Sequence, residues 1–266
     1  MKSEKEFFRG LFDRLSSNSG FAAATVAVIV ALAFMLGAGL QASGPRYPVP
    51  VAVANLRSTS KSVPTPVFAP DKGKLRILVN GQQVGSEEYE IGSSNGGWMA
   101  HGTADIQSPE GAIHVTGTLA LRADGTPVRY EWSTQGAKKA SAVVAFEGTT
   151  VTSELHMGNA RPFTQTFTFS SPRVAVLDNN LYHQYAVLAR LYDWDKKGAQ
   201  TFSVLVPQEL TPGTATVEWA GKQDSDGKSV EKLRVKTEDN EIDVFVDGPR
   251  LARISVPSAN AEIVRE

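Results

Sequence analysis

A chain of 266 residues, 41% hydrophobic and 21% charged, with a formal net charge of -1, has an ordinary globular composition. Near-neutral charge excludes the basic excess expected of a nucleic-acid binder and the composition of an acidic tail. The chain has no cysteine, which removes disulfide scaffolds, thiolate nucleophiles, thiolate zinc sites and cysteine-linked lipid anchors together.

Residues 1–19 read as a cytoplasmic tail in which Lys2, Lys5, Arg9 and Arg14 stand against Glu4, Glu6 and Asp13. Within it, EKEFFRGLFDRL reads either as a short amphipathic helix on the membrane surface or as a disordered tail. Residues 20–42, GFAAATVAVIVALAFMLGAGLQA, contain no charged side chain. A helix rises about 1.5 Å per residue and needs roughly 20 apolar residues to cross the hydrocarbon core, a length this run meets. Two readings compete, a transmembrane anchor and a cleaved signal segment. The run is longer than usual for a signal peptide and its leading region bulkier, which favours the anchor. The small positive excess of the flank, with the amino terminus, orients the N-terminus inward. Under either reading the chain beyond residue 42 faces outward, anchored to the inner membrane or released to the periplasm.

Residues 43–70 are rich in proline and form an extended linker, although VPVAVANL within them also reads as an edge strand. From residue 71 to 266 the pattern becomes short runs of period two separated by glycine, asparagine and aspartate turns. The clearest hairpin is GAIHVTGTLALRADGTPVRYEW, with Ile113, Val115, Leu119 and Leu121 on one face and Val128, Tyr130 and Trp132 on the return. Asp124-Gly125, Asp226-Gly227 and Asp247-Gly248 are turns of the kind that join neighbouring antiparallel strands. The expected fold is mainly β, a simple meander of about a dozen strands forming one large curled antiparallel sheet or partly open barrel.

One helix interrupts the strands, at about residues 180–193 in DNNLYHQYAVLARLYDW. Asp178, Asn179 or Asn180 would cap it, and Leu181, Tyr185, Leu188 and Tyr192 form a stripe along one face. Laid over the concave face or open end of the sheet, it acts as a plug. The aromatic stripe reads first as packing; a pocket lined by Tyr182, Tyr185, Tyr192, Trp194, Trp98 and Trp132, with His183 beside them, is the ligand-binding alternative.

Little points to catalysis. His101, His114 and His156 fall in strands without metal-ligand spacing, and His183 near Asp178 suggests hydrogen bonding around a helix cap. DWDKKG fails as a calcium loop because Lys197 and Val204 stand where oxygen ligands belong. Glu87, Glu88, Glu131 and Glu147 are scattered carboxylates whose pairing sequence cannot reveal. No catalytic residue, metal site or cofactor is assigned.

The segments LRILVNGQQVGSEEYEI, GTLALRADGTPVRYEW and LDNNLYHQYAVLARLYD, after an export or anchor segment, resemble a group of uncharacterised bacterial envelope proteins. These are built on a long curled antiparallel sheet, similar to the lipoprotein-carrier half-barrels. The resemblance spans residues 71–266 and implies a periplasmic domain with a concavity for a lipid or acyl chain; the lipobox cysteine of lipid-modified members is missing. The expected function is therefore non-enzymatic: binding an apolar ligand or an envelope partner. The alternatives are a structural or protein-interaction module with a solid core and, third, a hydrolase or its accessory domain.

Overall fold

The computed structural model describes residues 68–108, 111–136, 139–208, 210–225, 227–238 and 240–266. The expected tail, membrane segment and most of the linker, together with Asp226, lie outside the described residues. Among the described residues, no helix is long and apolar enough to cross a membrane.

Fifteen strands among the described residues form one sheet, and the chain builds it in two sweeps. The first sweep runs β1 (Asp71–Val79), β2 (Gln82–Ser94), β3 (Gly97–Ser108), β4 (Gly111–Leu121), β5 (Pro127–Gln135), β6 (Ala140–Glu147), β7 (Thr150–Met157) and β8 (Phe163–Thr168). The chain then crosses to the far end of the sheet, laying down β9 (Val174–Val176) and helix α1 (Gln184–Leu191). The second sweep runs β10 (Gln200–Val206), β11 (Thr211–Ser225), β12 (Lys228–Lys236), β13 (Glu241–Asp247), β14 (Arg250–Val256) and β15 (Ala261–Arg265). Pairing of β15 with β1 joins the two sweeps, so the strand order runs from β8 down to β1, then from β15 down to β9.

The expectation of a curled, mainly antiparallel sheet holds, but a simple meander does not. Two meanders meet at β1 and β15, and β9 pairs with β10 in parallel. Sequence patterning passes over β9 because its three residues are all buried. A strand covered on both faces loses its alternation and reads as a continuous apolar run. Its two covers are α1 and β5, so this end of the sheet curls in against the first sweep.

Local chemistry explains the hairpins. At Asn80-Gly81 φ is 51° and 75°, and at Asn95-Gly96 it is 46° and 79°. These are the two consecutive positive angles of a type I′ turn, whose twist matches the flanking strands. One expected inward position is corrected: Val128 is exposed while Tyr130 and Trp132 are buried. Ala120 faces Arg129 but Leu121 faces Pro127, so Val128 is the extra residue of a bulge, which reverses its side.

Helix α1 is shorter than the expected 180–193. Asp178 does not cap it: the Asn180 N–H closes onto Asp178 Oδ1 at 2.8 Å and the Asp178 N–H bonds Gln184 Oε1 at 2.5 Å, a turn of the chain in place of a first helical turn. At the other end Tyr192 takes an extended ψ of 134°. The single-stripe picture also gives way. Leu181, Leu188 and Tyr192 are buried, but so are Ala186, Val187, Ala189, Arg190 and Leu191, and Tyr185 alone along the helix is half-buried. A helix enclosed on nearly every side lies inside the curl, against β9, β13 and β14, and the residues that lead into it, Leu181 and His183, sit on the inner faces of β4 and β3.

Candidate functional site

The interior where a ligand was expected is occupied by α1, and what holds α1 there is polar. An eight-residue helix is marginal by itself. Position 183 at its N-cap provides no side-chain cap. The missing acceptor comes from the sheet. Glu87 alternates with Tyr89 and Ile91 on the inward face of β2, and none of the three is appreciably exposed. Its carboxylate accepts the Tyr182 N–H at 2.7 Å, the His183 N–H at 3.2 Å and the His183 Nδ1–H at 2.5 Å. An anion that satisfies several orphan donors at a helix start also complements the helix dipole. The His183 ring stacks on Tyr89 with centroids 5.7 Å apart.

Close approach is possible because the strands beneath carry no side chain there. A Cβ on Gly102 of β3 would lie 2.5 Å from the His183 ring, and one on Gly117 of β4 would lie closer still to Leu181 Cδ1. Neither separation is possible between real carbon atoms, so these two glycines seat the segment that runs from Leu181 into α1, here called the strap.

Asp178 forms a second anchor. Its carboxylate accepts the Tyr130 hydroxyl from β5 at 2.6 Å, the Gln208 amide at 2.5 Å and the Asn180 N–H. Burial pushes the Asp178 carboxyl above its ordinary range, against the pull of those three donors. Burial, with Asp178 alongside, holds the Tyr130 phenol well above its own.

The third anchor lies at the β1–β15 seam. Arg265 donates to both oxygens of Asp71, at 3.0 and 3.3 Å, and to Tyr89 Oη at 2.7 Å, while the Tyr89 hydroxyl donates to Asp71 at 2.6 Å. Arg190, in the last turn of α1, donates to Ala186 O at 2.7 Å and Ala69 O at 3.3 Å, and stands 3.8 Å from Asp71. Burial lowers the Arg190 guanidinium from its usual value, with Asp71 opposing the shift.

The residues singled out from sequence fall into separate surroundings. Tyr182 and His183 meet Glu87 at the helix start. Tyr192 and Trp194 pack edge to face at 5.2 Å at its exit, where Tyr192 donates to Gly198 O and accepts the Trp219 N–H, and Trp194 donates to Ala189 O. Trp98 stacks on Phe68 at 5.5 Å, Tyr185 is half-buried on α1, and Trp132 is buried on β5. The expectation that His183 bonds locally around a cap is corrected, since its partner is Glu87, 96 residues away. The four scattered carboxylates do not pair with one another: Glu88 meets Lys74, Glu131 meets Arg129, and Glu147 is exposed. His114 and His156 contact Asp105 and Glu154 at the surface, and His101 contacts Thr118. No group of three metal-ligating side chains occurs among the described residues.

Sequence reasoning missed Glu87, Asp71, Arg190 and Arg265 as a set. For Glu87 a signal existed, because the alternation that turns Tyr89 and Ile91 inward turns Glu87 inward as well. A cavity of about 320 Å³ does exist, but it opens beside β10 and is lined by Ser170, Ser171, Arg173, Thr201, Phe202, Ser203 and Thr214.

No family model matches the sequence, and no curated protein matches it. A solved structure does: the crystal structure of a beta-barrel-like protein of Domain of Unknown Function DUF1849 from Brucella abortus. The match has a TM-score of 0.52 at 10% identity, over 74% of this chain and 94% of that chain. At that identity the likeness is one of fold, and it makes the β-barrel-like architecture of this chain one already seen in a bacterial protein.

Proposed function

We propose that this chain is a non-enzymatic protein of a bacterial cell envelope, tethered or exported by residues 20–42. Its β domain is an interaction module that takes up an extended segment of another envelope protein as an added strand. The observation that carries this reading is the contrast between a filled interior and an open edge. The curl is occupied by the chain's own helix. At the other end of the sheet, β8 pairs with β7 on one side and with no strand on the other among the described residues. From Thr164 to Thr168 this edge carries no charge, proline or bulge, and Thr164, Thr166 and Thr168 are exposed. Edges are commonly blunted by those devices, and an unblunted one is a template for strand addition.

An apolar or lipid-like ligand within the half-barrel is the second reading. Trp132 Nε1, His183 Nε2 and Gln184 Nε2 are buried and lack a hydrogen-bond partner, and a ligand's polar tip would suit them. Occupancy would require the strap helix to yield space.

One experiment separates the two. The full chain, purified in detergent, is analysed for bound lipid by organic extraction and native mass spectrometry, and in cells for adducts from a photo-crosslinker at Thr164. The interaction reading expects a discrete protein adduct that Thr166→Lys and Thr168→Lys abolish. Stoichiometric lipid, with no adduct that depends on the edge, transfers the assignment to the carrier.

A further inference from the structure

We propose that the cavity beside β10 binds a phosphate-type oxyanion, supplied either as free phosphate or as the headgroup of a phospholipid. The cavity exists because β9 is short. It pairs with β10 only from Ser203 to Leu205, so the segment of β10 that includes Thr201 runs on beyond the end of β9. Thr201 and Ser203 alternate with the buried Phe202, so their hydroxyls share one sheet face. Thr214 faces Ser203 directly across the β10–β11 pair and adds a third hydroxyl to that face. The incoming chain supplies Ser170 and Ser171, and the Ser171 hydroxyl accepts the Arg173 N–H at 3.1 Å, which leaves its own O–H free to donate.

Arg173 supplies the charge. Its Nη2 donates to Leu191 O at 3.2 Å, which fixes the guanidinium against the end of α1. Its Nε–H is buried and has no partner. The lining contains no carboxylate to neutralise it. A pinned guanidinium with an unused donor, in a cavity lined also by five hydroxyl side chains, offers an anion charge-assisted hydrogen bonds and offers a cation none. Neutral polar ligands would use the hydroxyls and leave the charge unanswered. A volume of about 320 Å³ admits a tetrahedral oxyanion with its first waters, or a phosphate ester whose remaining part lies toward solvent.

The test is calorimetric titration of the full chain in neutral detergent at fixed ionic strength, with inorganic phosphate and with dihexanoyl phosphatidate as probes. Saturable binding is expected, weakened about tenfold or more by Arg173→Gln and about threefold by Thr201→Val. Because Arg173 also holds Leu191 O, the Thr201 variant keeps the test independent of any loosening of α1. Equal affinity for the two probes identifies free phosphate as sufficient; tighter binding of phosphatidate by about tenfold or more identifies the lipid headgroup, and either outcome upholds the site. Absence of saturable binding to both probes overturns it, as does binding that neither substitution changes. These outcomes do not depend on whether β8 recruits a strand.

Discussion

The two ends of α1 are secured by opposite chemistry. At the start, carboxylates come to the helix: Glu87 from β2 takes two main-chain N–H groups and the His183 ring, with no lysine or arginine in the arrangement. At the end, cations meet carbonyls and a carboxylate: Arg173 at Leu191 O, Arg190 at Ala186 O and near Asp71, which Arg265 also grips. Each sign matches the helix dipole. The ends differ in one member's solvent access: Glu87 and His183 have none, and at the far end Asp71 and Arg190 keep 1% and 4%, but the Arg265 side chain keeps 22%. A group that cannot rehydrate loses more when its partner is removed.

That difference orders the expected effects. Glu87→Ala strands three donors in a dry interior and should cost about 3 to 5 kcal/mol, the range for breaking a buried ionic or hydrogen-bonded set. Asp71→Ala leaves the buried Arg190 without its carboxylate at 3.8 Å, but Arg265 keeps Tyr89 and Leu251 O and reaches water, so the loss should be smaller, about 2 to 3 kcal/mol. Denaturant titration of both variants measures the gap. Equal losses, or a larger loss at Asp71, would break the comparison.

The seat of the strap gives the next effect. Gly117→Ala puts a methyl group where Leu181 Cδ1 and the Tyr130 hydroxyl now lie, the hydroxyl only 2.8 Å from the place the new Cβ would take. Overpacking of this kind costs about 1 to 3 kcal/mol. Gly92 has nothing within 4 Å of the same position. Gly92→Ala is therefore the control, and its midpoint should stay near that of the parent.

How far sequence reaches can be judged at these same positions. Strands, Asp-Gly turns and the one helix follow from local rules of period and backbone conformation. β9 and β15 escaped, the first through its missing alternation and the second through its brevity, and with them went the two-sweep topology. The site fared less well for a physical reason. Leu181 and His183 were visible as helix residues, but the glycines that receive them and the carboxylate that binds His183 lie on strands about 65 to 95 residues away, and nothing local encodes that meeting. Arg173 gave no signal, since an arginine between a proline and a short apolar run reads as surface until Leu191 O is found beside it.

Ionisation adds a finer test. Tyr89, Tyr130, Tyr182, Tyr185 and Tyr192 all have phenols raised above their ordinary value. Burial is the leading cause in each, and nearby carboxylates add to it, Asp71 at Tyr89 and Glu87 at Tyr182. With folded values above the unfolded one of about 10, the stability they confer is complete below that pH and falls as pH rises beyond it. Tyrosinate absorbance should therefore lag behind that of free tyrosine and appear together with loss of tertiary signal. Gradual ionisation at ordinary values, in a chain that stays folded, would contradict the buried anchors.

The smallest effect belongs to Asp178, and it separates the helix start from its end by pH. Its carboxyl is raised by burial, so the folded state favours the protonated form. The associated stability is complete below the ordinary carboxylate range and is lost as pH rises through the raised value. Asp178→Asn removes the titration. Its single oxygen can keep the Tyr130 and Gln208 donors, but its NH₂ then faces the Asn180 N–H, so the variant should lose about 1 kcal/mol at acid pH. That deficit should shrink toward neutral pH, because the parent alone then bears the cost of a buried charge. Thermal melts of both proteins across pH 3 to 8 read this as two curves that converge. The arginines at the far end stay charged throughout that range, so Arg190→Lys should give a curve parallel to the parent's. Parallel curves for Asp178→Asn as well would mean that the Asp178 carboxyl does not carry the pH response of this end.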